Sequence, residues 1–153
     1  MRKNKLCLWV PPVIWMGVIF FFSHQPGEES AQLSGRFMGM VEVIANILDM
    51  DPTSADLHLM IRKGAHFAEF AILGFLLFPA VLSVINKRIS SFALTLAAGS
   101  LYGVLDELHQ LFIPGRSCQI GDMIIDAGGV LLAAVLSSLL TPLLFPRSGG
   151  SDS

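Results

Sequence analysis

Lys63, His66 and Glu69 lie in one hydrophobic run of this chain, Asp106, Glu107, His109 and Gln110 in the next, and Asp122 and Asp126 in a third. Ionisable side chains in apolar segments are costly to bury. Inside a membrane they face a bundle interior or a water-filled cavity, which makes them candidates for function. A histidine titrates near neutral pH and can move a proton, and a carboxylate beside it can orient the ring. Lysine and arginine hold anions, arginine through its planar fork and lysine as a compact charge. Imidazole with carboxylates is also a donor set for zinc or manganese. No serine or cysteine nucleophile lies among these residues; Ser117 and Cys118 are only nearby.

The segments that carry these groups are those of an integral membrane protein. The chain has 153 residues, 53% hydrophobic and 14% charged, with a mean hydropathy of +0.65. Soluble domains are roughly 25% charged. The length suits one compact helical bundle. With a net charge of −2 and no basic stripe, the chain offers no nucleic-acid surface, so no nucleic-acid partner is expected. Cys7 and Cys118 form neither a metal spacing nor a disulfide framework.

Four apolar runs are long enough to cross a bilayer: Leu6 to Phe22, Gly64 to Ile85, Ser91 to Ile113 and Met123 to Phe145. Asn86-Lys87-Arg88, Pro114-Gly115 and Pro146 separate or end them. The first run follows Arg2, Lys3 and Lys5 but lacks a small-x-small cleavage site, so it reads as a retained anchor. Residues 31–50 carry Leu33, Phe37, Val41, Ile44 and Leu48 at helical spacing, interrupted by Gln32, Arg36, Glu42 and Asn46. This predicts an amphipathic helix on the membrane surface, or capping the bundle, between spans one and two. It ends at Asp51-Pro52, and a new helix leading into span two can start at Thr53 to Asp56.

Charge sets the expected orientation. With both termini cytoplasmic, the inner pieces hold Arg2, Lys3, Lys5, Lys87, Arg88 and Arg147, while the acidic residues other than Asp152 fall toward the outside. Every polar residue singled out then lies at one outer depth, facing the cell exterior.

Asp106 and Gln110 share a face of span three with His109 alongside and Glu107 to one flank. Gly99 and Gly103 fall on that face, and Asp122, Asp126, Gly129 and Ala133 share a face of span four. Spans three and four can therefore pack small face to small face. Plainer readings exist for several residues. Arg62 and Lys63 can be interfacial anchors at a helix end, and Asp122 can cap span four. For His66, Glu69, Asp106, Glu107 and His109 the plain reading is costlier, because pairing alone is replaceable by apolar packing.

Lys63-Gly64-Ala65-His66-Phe67-Ala68-Glu69-Phe70 with Leu73-Gly74 resembles the first signature of the VanZ-like family of small bacterial membrane proteins. The run from Asp106 to Arg116, DELHQLFIPGR, resembles its second signature. Asp122 with Gly129, and Ser23 to Gln25, continue the likeness, which covers essentially the whole chain. It implies an all-α, multi-pass membrane domain over residues 1–147, a four-span bundle in the cell membrane, with 148–153 read as a disordered tail. It also implies a link to glycopeptide resistance, since the founding member is associated with resistance to teicoplanin. Two positions depart from the pattern: Asp126 stands where asparagine is usual and Ala133 where glycine is frequent.

Three functions follow as expectations. In the first, Lys63, Gln110, Arg116, Asp122 and Asp126 bind the head group of a membrane lipid, a lipid-linked cell-wall precursor or a glycopeptide antibiotic. Arg116, after the Pro114-Gly115 turn, would stand over a mouth formed by Asp106, Glu107 and Asp122. In the second, the protein is an enzyme on a lipid-linked substrate, with His66 and His109 as base and acid and Glu69, Asp106 or Glu107 assisting. The third places a divalent metal on His66, Glu69, Glu107 and His109, against the positive charge of Lys63. The sequence names no cofactor and assigns no metal ligand.

Overall fold

A computed structural model describes residues 2–47 and 54–144, which form helices joined by short turns: α1 (Arg2–Cys7), α2 (Val10–Ser23), α3 (Gly27–Ile47), α4 (Ser54–Ile85), α5 (Arg88–Gln110) and α6 (Ile120–Leu144). The expected tail at 148–153, the helix end at Asp51-Pro52 and the break at Pro146 lie outside the described residues.

The breaks follow from the sequence. Pro11 and Pro12 open α2, where a missing N–H costs nothing. Asn86 ends α4 at φ 56°, in the left-handed region that asparagine tolerates better than most residues. Pro114 disfavours helix in the residue before it, and Gly115 turns the chain at φ 74°. The same loop reaches the start of α3. Gly27 N–H donates to the Pro114 carbonyl at 3.0 Å, and a Cβ on Gly27 would stand 2.3 Å from the Gly115 oxygen. Only glycine allows that approach.

Four segments are long and apolar enough to cross a membrane: Lys5–Ser23, Asp56–Ile85, Arg88–Gln110 and Ile120–Thr141. They match the four expected runs, and the more polar α3 is not among them. Its apolar Val43, Ile44 and Ile47 are exposed. The helix leading into span two starts where the sequence placed it, at Ser54, and runs unbroken into the span. Hydropathy rises at Gly64, but the helix begins ten residues earlier at Ser54 with Asp56 in its first turn, where an acid suits the helix dipole. At 32 residues and ~1.5 Å per residue, α4 is about 48 Å long, well beyond the ~30 Å of a hydrocarbon core. Arg62 and Lys63 thus sit inside a helix, not at its end.

α5 is inverted relative to a helix of a soluble bundle. On α5 the buried residues are Ser91, Thr95, Gly99, Gly103, Asp106, Glu107 and Gln110, while Leu94, Leu101, Leu105 and Leu108 are exposed. Small residues let helices approach closely where lipid provides no hydrophobic drive. The two faces expected to meet do so only in part: Gly103 lies against Asp126, while Gly129 and Ala133 turn to α4. Gly129 packs on α4, where a Cβ would fall 2.4 Å from the Phe67 carbonyl oxygen, and Gly74 faces Val130 and Ala133. Gly99 instead receives the Val130 side chain and Gly103 that of Asp126. α6 thus presents Gly129 and Ala133 to α4, and α4 with α6 is the most extensive pair. Ile19, Phe70, Leu73 and Val130 form the apolar core. Trp15 Nε1 donates to the Glu69 carbonyl (2.8 Å) and Tyr102 Oη to the Met16 carbonyl (2.7 Å), which pins α2 to α4 and α5.

Candidate functional site

The C-terminal ends of α2 and α5, the first half of α4, the α5–α6 loop and the start of α6 meet at one end of the bundle, and every site residue named from the sequence lies there. Within that end they divide into separate groups.

The first group joins α2 to α5. Ser23 Oγ donates to Asp106 Oδ2 at 2.8 Å, and Gln110 Nε2 donates to the same oxygen at 3.0 Å. All three residues are buried. Asp106 and Gln110 meet because residues four apart stack on one helix face.

The second group is a pair of cations on one acid. Arg62 Nη2 reaches Asp122 Oδ2 at 2.8 Å and Lys63 Nζ reaches Asp122 Oδ1 at 3.0 Å. Asp122 is 1% exposed, and a buried carboxylate is tolerable when it is paired in this way. Asp122 therefore does not cap α6, and Arg62 is not a plain interfacial anchor. Sequence alone gave no sign of this: Arg62 precedes an apolar run as ordinary anchors do, and only the buried partner on α6 distinguishes it.

The third group lies where α4, α5 and α6 converge. His66 Nδ1 stands 3.1 Å from Asp126 Oδ1, and Glu107 Oε2 accepts the Gln119 backbone N–H at 2.7 Å. Glu107 and Asp126 are 0% exposed. Among the described residues, Glu107 Oε1 and Asp126 Oδ2 have no hydrogen-bond partner. One donor atom from each of His66, Glu107 and Asp126 lies within 4.8 Å of the others.

His109 joins none of these groups. Its Nε2 is 3.3 Å from His24 Nδ1, and its ring packs on Phe20 and His24 with centroids 4.7 and 5.5 Å away. The sequence grouped it with His66 by depth, but its side chain turns toward α2. A metal held by His66, Glu69, Glu107 and His109 together does not fit this arrangement, nor does an acid–base couple of the two histidines.

A cavity of about 400 Å³ opens beside these groups, lined by Phe22, Ser23, Arg62, His66, Glu69 and Arg116 among others. A second of about 330 Å³ shares Arg62 and Arg116 and adds His58 and Gln110. Arg116 makes no ion pair with Asp106, Glu107 or Asp122, the acids expected to form the mouth beneath it. Its Nε donates to the Gln25 carbonyl and its Nη2 to the Phe22 carbonyl, both at 2.9 Å. It thereby gives the Gln25 carbonyl a donor and adds a second to the Phe22 carbonyl, which also accepts the Gln25 N–H at 3.2 Å. Burial pushes its guanidinium below the ordinary value while the nearby Asp106 carboxylate pulls it up. Arginine remains a cation throughout the working range.

A family model described as VanZ/LLP1 matches residues 8–141. No curated protein and no solved structure matches the chain.

Proposed function

The chain belongs to the VanZ/LLP1 family, and from that premise we propose that this multi-pass membrane protein binds an anionic head group in the cavity at the Ser23 end of its bundle. The candidates are an envelope lipid, a lipid-linked cell-wall precursor and an amphiphilic glycopeptide antibiotic, which agrees with the link between this family and resistance. The observation that carries the reading is the shared wall. Arg62 and Arg116 both line the 400 Å³ cavity, next to His66 and Glu69 and against the apolar Phe22 and Ile61. Guanidinium groups recognise phosphate or carboxylate, and an apolar wall suits the attached chain. The charge asymmetry supports an orientation with this end outside: Lys87, in the α4–α5 turn, and Arg88, which opens α5, lie at the opposite end.

Native mass spectrometry of the detergent-purified protein tests the reading with a polyprenyl phosphate, teicoplanin and a neutral diacylglycerol as probes. The wild type retains a phosphate- or carboxylate-bearing probe over the neutral one, and Arg62→Ala with Arg116→Ala removes that preference. Equal retention of all three probes by the wild type overturns the reading. On intact cells, a thiol reagent that does not cross membranes labels Cys118 and spares a cysteine placed at Lys87; the reverse pattern turns the site inward.

An enzymatic reading has one observation of its own. His66 lines the cavity and is held by Asp126 at 3.1 Å, which is the arrangement of a general base steadied by a carboxylate. It places base chemistry on His66 with Asp126 as the orienting group, and it calls for a lipid-linked substrate with a hydroxyl or water as attacking group.

A further inference from the structure

The head-group cavity does not account for the two carboxylates behind it. Glu107 and Asp126 are fully buried, each with an oxygen, Oε1 and Oδ2, that no described protein group donates to. A buried carboxylate oxygen left without a donor is costly to hold. The nearby cations are engaged elsewhere: Arg62 and Lys63 on Asp122, and Arg116 on the carbonyls of Phe22 and Gln25. Among the described residues the pair's hydrogen-bond partners are His66, on Asp126 Oδ1, and the Gln119 backbone N–H, on Glu107 Oε2.

We propose that His66, Glu107 and Asp126 form a binding site for one divalent cation of the manganese or zinc class. The three residues come from α4, α5 and α6, so the cation joins the spans that build the site. The donor set is one imidazole and two carboxylates. That mixture of nitrogen and hard oxygen suits Mn²⁺ or Zn²⁺, and it lacks the thiolate or thioether that copper(I) prefers. One donor atom from each residue lies within 4.8 Å of the other two. The 3.1 Å between His66 Nδ1 and Asp126 Oδ1 is close to the separation of neighbouring ligands around a cation at about 2.0–2.2 Å.

The surroundings hold these donors in place. The Gln119 N–H fixes Glu107 Oε2 at 2.7 Å and leaves Oε1 free, the outer-shell support that metal ligands usually have. Gly103 makes room on the far side of Asp126: a Cβ there would stand 3.0 Å from the aspartate Cβ and 3.2 Å from Oδ2. Three protein ligands leave coordination positions open, as in metal sites that also bind water or substrate. His66 lines the 400 Å³ cavity as well, so the site is reached from there. The site stands on these residues whether or not a head group binds.

The test uses the full-length protein in detergent, stripped with a chelator and titrated with MnCl₂ or ZnCl₂ alone. One equivalent binds saturably, and chelator reverses it. Pulsed electron paramagnetic resonance of the Mn²⁺ form shows a histidine nitrogen coupled to the metal, and that coupling changes on ¹⁵N-histidine labelling. Glu107→Gln and Asp126→Asn weaken binding by more than the ~10–100-fold typical of outer-shell changes, while His109→Ala leaves it unchanged. Absence of saturable binding of both cations by the wild type overturns the proposal, as does Mn²⁺ bound without nitrogen coupling. The wild-type measurements decide the matter even if the ligand variants fail to fold. Because no lipid is present, failure here is distinct from failure of head-group binding.

Discussion

The α2–α5 seam and the α4–α5–α6 junction lie at the same end of the bundle, draw on adjacent residues of α5, and treat their carboxylates in opposite ways. Asp106 receives hydrogen bonds from Ser23 and Gln110, and no buried side-chain atom of these three residues lacks a partner. Glu107, one residue on, is buried with one oxygen unpaired, as is Asp126 opposite it. A satisfied network holds helices together. An unsatisfied one costs stability, and a bundle that keeps it gains something else from it. On the proposal above, the seam is structure and the junction is the place where a ligand acts.

The largest expected effect lies at the junction. Glu107→Ala, Asp126→Ala and His66→Ala abolish a resistance or lipid-binding phenotype while membrane abundance stays near wild type. Activity in these variants at wild-type levels would merge the junction with the seam as packing. The seam responds in the other direction. Asp106→Ala leaves the Ser23 hydroxyl and Gln110 amide without their shared acceptor, which costs about 1–3 kcal/mol and appears as lower abundance and a lower unfolding midpoint. An Asp106→Ala protein as stable as wild type contradicts that assignment.

A smaller effect sharpens the boundary between the two regions. Arg116 spans two carbonyls with two nitrogens of its fork. Arg116→Lys keeps the charge but cannot reproduce both bonds, so it weakens head-group retention and loosens the end of α2 by a net of about 1 kcal/mol. A fully active Arg116→Lys protein reduces the residue to a counter-charge.

The four spans and the common depth of the polar residues were legible in the sequence because hydropathy and turn residues report directly on both. The partners across helices were not. Depth comes from position along a span, whereas partners depend on how far each helix is rotated, and that is set by contacts such as Gly129 on the Phe67 carbonyl and Gly103 on Asp126. His109 and Glu107 show the difference. They are two residues apart on α5, yet one stacks on His24 and Phe20 while the other turns to His66 and Asp126. Arg62 was misread for a related reason. Its significance rests on Asp122, sixty residues away and buried.

The most direct test of the contrast is thermal unfolding of the chelator-treated protein in detergent, comparing Glu107→Gln with the wild type. The glutamine keeps an oxygen for the Gln119 N–H, replaces a buried titratable group and brings an N–H to the junction. If the junction sacrifices stability for a ligand, the Glu107→Gln midpoint lies at or above that of the wild type while its function is lost. A midpoint well below wild type with function retained would contradict the account and make Glu107 a structural residue like Asp106.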